Sequence, residues 1–106
     1  MTEAEFQKQV IDLAQLFRWR VAHFRPARTA KGWRTPVAAD GAGFPDLVLA
    51  KEGRLIFAEL KAEKGRVSEA QALWLESLGP STEDRLVVVW RPSDWDSIER
   101  VIRGNE

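Results

Sequence analysis

The chain has 106 residues, which suits one domain around one core, so residues 1–106 are expected to form a single unit. With 44% hydrophobic and 30% charged residues it is a folding sequence, and its lack of cysteine excludes a disulfide framework and any thiolate metal site. The 16 basic and 16 acidic residues cancel, but residues 13–39 contain no acid and hold Arg18, Arg20, Arg25, Arg28, Lys31 and Arg34, which leaves ten basic against 16 acidic residues elsewhere. Such a local basic segment is either a phosphate footprint or a solvated arginine-rich loop. No apolar run approaches the roughly 20 residues that cross a bilayer. The N-terminus bears Glu3 and Glu5 and lacks the basic and apolar regions of a signal peptide. A cytoplasmic protein without a membrane partner is therefore expected.

Residues 2–17 read as a helix. Phe6, Val10, Leu13, Ala14 and Phe17 recur at helical spacing, with Thr2 as N-cap and Glu3 and Glu5 in the first turn. At about 100° per residue, Glu3 falls near the centre of the apolar stripe and Glu5 lies well off it. Glu3 is then aimed at the core, or it merely complements the helix dipole. Residues 20–24 (RVAHF) alternate as a strand; His23 is the only histidine, so a site built of several histidines is excluded. It reads as a half-exposed strand residue, with a phosphate contact as the alternative. Residues 25–42 show no periodicity, and Pro26, Gly32, Pro36 and Gly41 break regular structure, so a long functional loop is expected. Arg25, Arg28, Lys31 and Arg34 could grip phosphates. Trp33 could stack on an unpaired base, or instead pack on the core or a subunit interface.

Residues 43–61, GFPDLVLAKEGRLIFAELK, organise the rest. Two apolar runs, Leu47–Ala50 and Leu55–Ala58, flank Lys51-Glu52-Gly53 and predict a β-hairpin. Pro45 fits a strand start and Gly43 permits close backbone approach. Strand alternation puts Phe57, Glu59 and Lys61 on one face and Ile56, Ala58 and Leu60 on the other. Antiparallel pairing brings Asp46 beside Glu59 and Lys61, at a place where a sheet would rather be apolar. Mg²⁺ is typically held by one or two carboxylates. Asp46, Glu59 and the backbone carbonyl of Leu60 could serve as metal ligands, with Lys61 orienting a water or stabilising a phosphate oxygen. The plain alternative is an Asp at a strand start and a surface Glu–Lys pair.

Residues 62–67 form a polar turn in which Lys64 and Arg66 add positive charge. Ser68-Glu69-Ala70-Gln71 matches a capping box and starts a second helix. Ala70, Leu73, Trp74 and Leu78 make its apolar face, and Gly79-Pro80 stop it. Residues 85–90 (RLVVVW) read as a strand buried on both faces. Ser93 is expected to cap a last helix through about residue 102, with Trp95, Ile98, Val101 and Ile102 facing the core.

The PD…ExK pattern, with TEAEFQKQV, GFPDLVL, AELK, KGRVSEAQ and VVVWRPSDWDSIERVI around it, resembles the VRR-NUC (virus-type replication-repair nuclease) family of the PD-(D/E)xK nuclease superfamily, in its small stand-alone phage and bacterial form. The resemblance implies an α/β, restriction-endonuclease-like core of order α-β-β-β-α-β-α, a mixed central sheet flanked by helices. It implies a Mg²⁺- or Mn²⁺-dependent DNA endonuclease, acting as a homodimer on branched DNA such as Holliday junctions or flaps in repair. It assigns catalysis to Asp46, Glu59 and Lys61, matches Glu3 to a helix-1 glutamate, and matches Gln71 to a glutamine near the site, where the capping role is the alternative. It leaves Arg25, Arg28, Lys31, Arg34, Lys64 and Arg66 to meet DNA. Two rivals are a non-cleaving DNA-binding module of the same fold and a hydrolase of small phosphoesters.

Overall fold

The computed structural model describes residues 1–24, 27–29, 32–34 and 38–104, the two short segments as backbone alone. The elements run α1 (Glu3–Leu16), β1 (Arg20–His23), β2 (Ala27–Thr29), β3 (Gly32–Arg34), β4 (Leu47–Lys51), β5 (Arg54–Leu60), α2 (Glu69–Leu78), β6 (Arg85–Trp90), a 3-10 turn (Pro92–Asp94) and α3 (Trp95–Arg103).

The hairpin forms as read, with Leu47 opposite Ala58 and Lys51 opposite Arg54. Its turn is one residue shorter than expected, because Lys51 belongs to β4. Glu52 and Gly53 both have positive φ (50° and 82°), the requirement of the two-residue turn whose twist matches the strands. β1 pairs antiparallel with β4, and β6 pairs parallel with β5, giving a mixed sheet of order β1-β4-β5-β6.

One face of this sheet carries Leu47, Leu49, Ile56, Ala58 and Leu60, all buried. Against it lie Phe6, Val10 and Ala14 of α1 and Ile98 and Ile102 of α3. The i, i+4, i+8 spacing of the α1 residues is the expected stripe. Burying each large apolar side chain contributes about 1.5–3 kcal/mol, which fixes the helix phase more firmly than any surface charge could. Thr2 caps α1, and its box partner is Glu5, which accepts from Thr2 N at 3.0 Å while Glu5 N donates to Thr2 Oγ1 at 3.1 Å. Trp19 closes the core where α1 ends, donating Nε1–H to the Ile102 carbonyl at 3.0 Å.

Five expectations need correction. Residues 25–42 are not a loop throughout, since β2 and β3 pair antiparallel as a separate two-stranded sheet with Arg28 opposite Trp33. The element order therefore has two more strands than α-β-β-β-α-β-α. A three-residue ribbon that bonds only to itself needs no alternation, so none shows in the sequence. β6 is not a doubly buried strand: it is an edge strand in which Leu86 and Val88 pack on the core and only Trp90 is fully buried. Every residue of α2 keeps some exposure, and Leu73 is 58% exposed, so the apolar face of that helix is largely uncovered. Ser93 lies inside the 3-10 turn, and Asp94 takes the cap position of α3, its carboxylate accepting from Arg91 N at 2.9 Å. β1 stops at His23, although Phe24 N still donates to the Asp46 carbonyl.

Candidate active site

β4 starts and β5 ends at the same edge of the sheet, and this brings Asp46, Glu59 and Lys61 together. The Asp46 carboxylate accepts from Leu60 N at 3.0 Å, which anchors it across the strand gap. Glu59 lies on the face opposite the core yet is only 1% exposed. Its Oε2 accepts from Gln71 Nε2 at 2.9 Å and lies 3.7 Å from Lys61 Nζ. Its Oε1 is buried and accepts no hydrogen bond from any described residue. An unsatisfied buried carboxylate oxygen is costly, and such an atom calls for a partner.

Burial first, then the charge of Asp46 and hydrogen bonding with it, push the Glu59 carboxyl from 4.5 up to about 8. Lys61 pulls it back down, and Glu3 adds a smaller upward push. An acid whose pKa is raised by folding binds its proton more tightly in the folded state between the two values. The contribution of Glu59 to metal-free stability therefore falls as pH rises from about 4.5 to about 8, then levels off. In EDTA, Glu59→Gln should gain thermal stability over the wild type progressively through that window and by a constant amount above it. A difference that does not vary with pH would remove Glu59 as the titrating group.

Gln71 caps α2 and also touches Glu59. Its Oε1 accepts from Ser68 N at 2.8 Å, completing the capping box of α2, while its Nε2 reaches Glu59. The start of α2 is held close by Gly43, whose φ is +86° and where an added Cβ would come within 2.6 Å of the Ala70 carbonyl carbon. Phe44 stacks edge-on against Phe24, Phe57 and Trp74, and Trp74 Nε1 donates to the Asp40 carbonyl at 2.8 Å.

Glu3 is half-buried and Glu5 exposed, as the helical phase requires. Glu3 is felt at Glu59 through its charge alone, since among the described residues no group of three or more His, Cys, Asp or Glu is gathered closely enough to hold an ion. Asp46 and Glu59 are the pair that could hold a divalent cation. Lys64 and Arg66 are exposed in the turn that follows Lys61. Arg25 and Lys31 lie outside the described residues, and Arg28 and Arg34 are placed only as backbone in β2 and β3. His23 is half-buried at the end of β1.

Arg91 has a structural role that no spacing in the sequence marks. Its guanidinium donates to the carbonyls of Ala62, Glu63 and Gly65 at 2.9, 3.2 and 2.6 Å and so folds the turn after Lys61. Backbone acceptors have no residue signature, so nothing in the spacing could have shown it.

A mixed α/β domain with two carboxylates and a lysine at one end of its sheet has the form of a nuclease-like core. A model of the VRR-NUC domain matches residues 7–91, and the chain belongs to that family of nucleases. The match begins beyond Glu3 and ends at Arg91, so the first turn of α1 and the whole of α3 lie outside it. No curated protein matches the chain. Among the described residues no helix is long and apolar enough to cross a membrane.

Proposed function

We propose that the protein is a Mg²⁺- or Mn²⁺-dependent DNA endonuclease that selects branched DNA and works as a homodimer presenting two sites. The observation that carries the metal-dependent reading is the buried, unpartnered Oε1 of Glu59 beside Asp46. The charge of Asp46 raises the proton affinity of Glu59, and a divalent cation that replaces the proton between these two hard oxygen donors relieves that repulsion. Leu60 supports the same reading. Continuing the hairpin register by two residues sets Pro45 opposite it, and proline brings no N–H to the Leu60 carbonyl. Asp46, Glu59 and that carbonyl would hold the ion.

When bound, the cation supplies Lewis acidity to the scissile phosphate and acidifies the attacking water. Lys61 positions that water or carries charge on a phosphate oxygen. Gln71 fixes the orientation of Glu59. Glu3 acts at longer range, through an intervening water. Lys64, Arg66 and the basic residues of segment 25–34 take the flanking phosphates.

Incubation with labelled duplex, single-stranded, flap and four-way-junction DNA, in Mg²⁺, Mn²⁺ or EDTA, tests the proposal. Metal-dependent cutting with a preference for the branched forms is expected. Binding without cutting in any metal would mean a non-cleaving module. Glu3→Gln should lower cleavage by about tenfold or more and Glu5→Gln should leave it near wild type, because only Glu3 faces the site. An equal loss in both would show that Glu3 works through the helix rather than at the site.

A further inference from the structure

At the opposite end of the sheet, around the Glu52-Gly53 turn, a cleft of about 560 Å³ is lined by Arg18, Arg20, Lys51 and Arg54, with Glu52 the one acid among the described residues that line it. None of these four cations belongs to the site at Asp46 and Glu59. The cleft wraps the sheet end. Arg20 pairs with Ala50 and, through it, with Leu55, on the face that also carries Glu59, whereas Lys51 and Arg54 lie on the core face beside Trp19. Lys51 is fixed by donating to the Phe17 carbonyl at 2.8 Å, and Lys51 and Arg54 sit 6.0 and 5.9 Å from the centre of the Trp19 ring.

Arg18 is the telling residue. It follows the C-cap of α1 and has φ +68°, a conformation that favours glycine. Arg18 N donates to the Gln15 carbonyl and Trp19 N to the Ala14 carbonyl, both at 3.0 Å, the paired bonds that commonly end a helix with glycine at this position. An arginine here gives up helix-end stability, and its side chain lines the cleft. Local rules are broken where another demand outweighs them.

We propose that this cleft is a second phosphate-binding site for the backbone of the DNA engaged at Asp46 and Glu59. The inference rests on the nucleic-acid reading above. Arg54 and Glu59 are five residues apart on β5, about 17 Å at roughly 3.3 Å per residue. A DNA strand advances about 3.4 Å per nucleotide, so the cleft meets the backbone about five nucleotides from the scissile bond.

The test measures DNA affinity against salt concentration in EDTA, where no cutting occurs, for the wild type, Arg18→Gly, Arg20→Ala, the double variant and the charge-preserving Arg20→Lys. The slope of log K against log salt should fall by about 0.9 for each lost contact, hence by about 1.8 in the double variant, and should hold in Arg20→Lys. The loss should appear with duplexes reaching more than about five nucleotides past the cut position and vanish with shorter ones. Arg18→Gly should melt no lower than the wild type. Unchanged slopes in a protein that binds and cuts DNA would overturn the second site and leave the nuclease reading intact. A wild type that does not bind DNA would overturn both.

Discussion

Glu59→Gln and Asp46→Asn should each reduce metal-dependent cleavage by at least about a hundredfold, the scale of losing one charged or donor group at a reacting centre. Each substitution keeps the shape of the side chain and removes the charge that would hold a cation. The two should differ in stability. Glu59 is buried, crowded by Asp46, and only partly compensated by Gln71 and by Lys61 at 3.7 Å. Its neutral amide counterpart escapes that cost, so metal-free Glu59→Gln should unfold at a higher temperature than the wild type above about pH 8. Asp46 is half-buried and accepts from Leu60 N, a bond that an amide oxygen can still accept; Asp46→Asn lifts its repulsion of Glu59 but leaves the larger burial cost of Glu59, so it should gain less stability than Glu59→Gln. Activity lost while stability rises marks a residue kept for chemistry rather than for folding. Wild-type cleavage by either variant would remove that residue from the site.

The sequence was legible wherever one periodicity dominated. The α1 stripe of Phe6, Val10 and Ala14 fixed both the helix and the side on which Glu3 lies, because burial leaves little freedom in phase. The β4–β5 hairpin was legible for the same reason, and pairing alone then brought Asp46 to Glu59. What stayed hidden depends on neighbours that the sequence does not name. RLVVVW is as apolar as a central strand, but nothing in it says that one of its edges meets no further strand among the described residues. Leu73 and Trp74 sit at helical spacing like core residues, yet α2 runs along the face that carries Glu59, from Glu59 at Gln71 to Arg85 at Leu78, and leaves Leu73 in solvent. The two jobs of Gln71 looked like alternatives because its capping bond is local and its bond to Glu59 is tertiary. Arg91 grips carbonyls 26 to 29 residues away, beyond any local pattern.

Gly43→Ala should be the most disruptive single-methyl change at any described glycine. Its φ of +86° strains any L residue, and the new Cβ would stand 2.6 Å from the Ala70 carbonyl carbon and 2.8 Å from both the Ala70 oxygen and Cβ. Those atoms are the backbone of the first turn of α2 and a methyl fixed to it, so no flexible side chain can swing aside. Backbone strain and overpacking together should cost about 2–5 kcal/mol. Gly53→Ala is the control: its φ is +82°, with nothing within 4 Å of the added methyl, so it bears the strain alone, about 1–2 kcal/mol. Urea unfolding of the two variants isolates the contact as the difference between them. The contact also reaches the chemistry. Pushing Ala70 away moves Gln71, the next residue, whose Nε2 is 2.9 Å from Glu59. At temperatures where Gly43→Ala remains folded it should therefore cleave more slowly than Gly53→Ala, with a larger loss in kcat than in KM. Equal stability losses in the two variants would mean that α2 stands farther from Gly43 than 2.6 Å allows, and that Gln71 is oriented by its capping box alone.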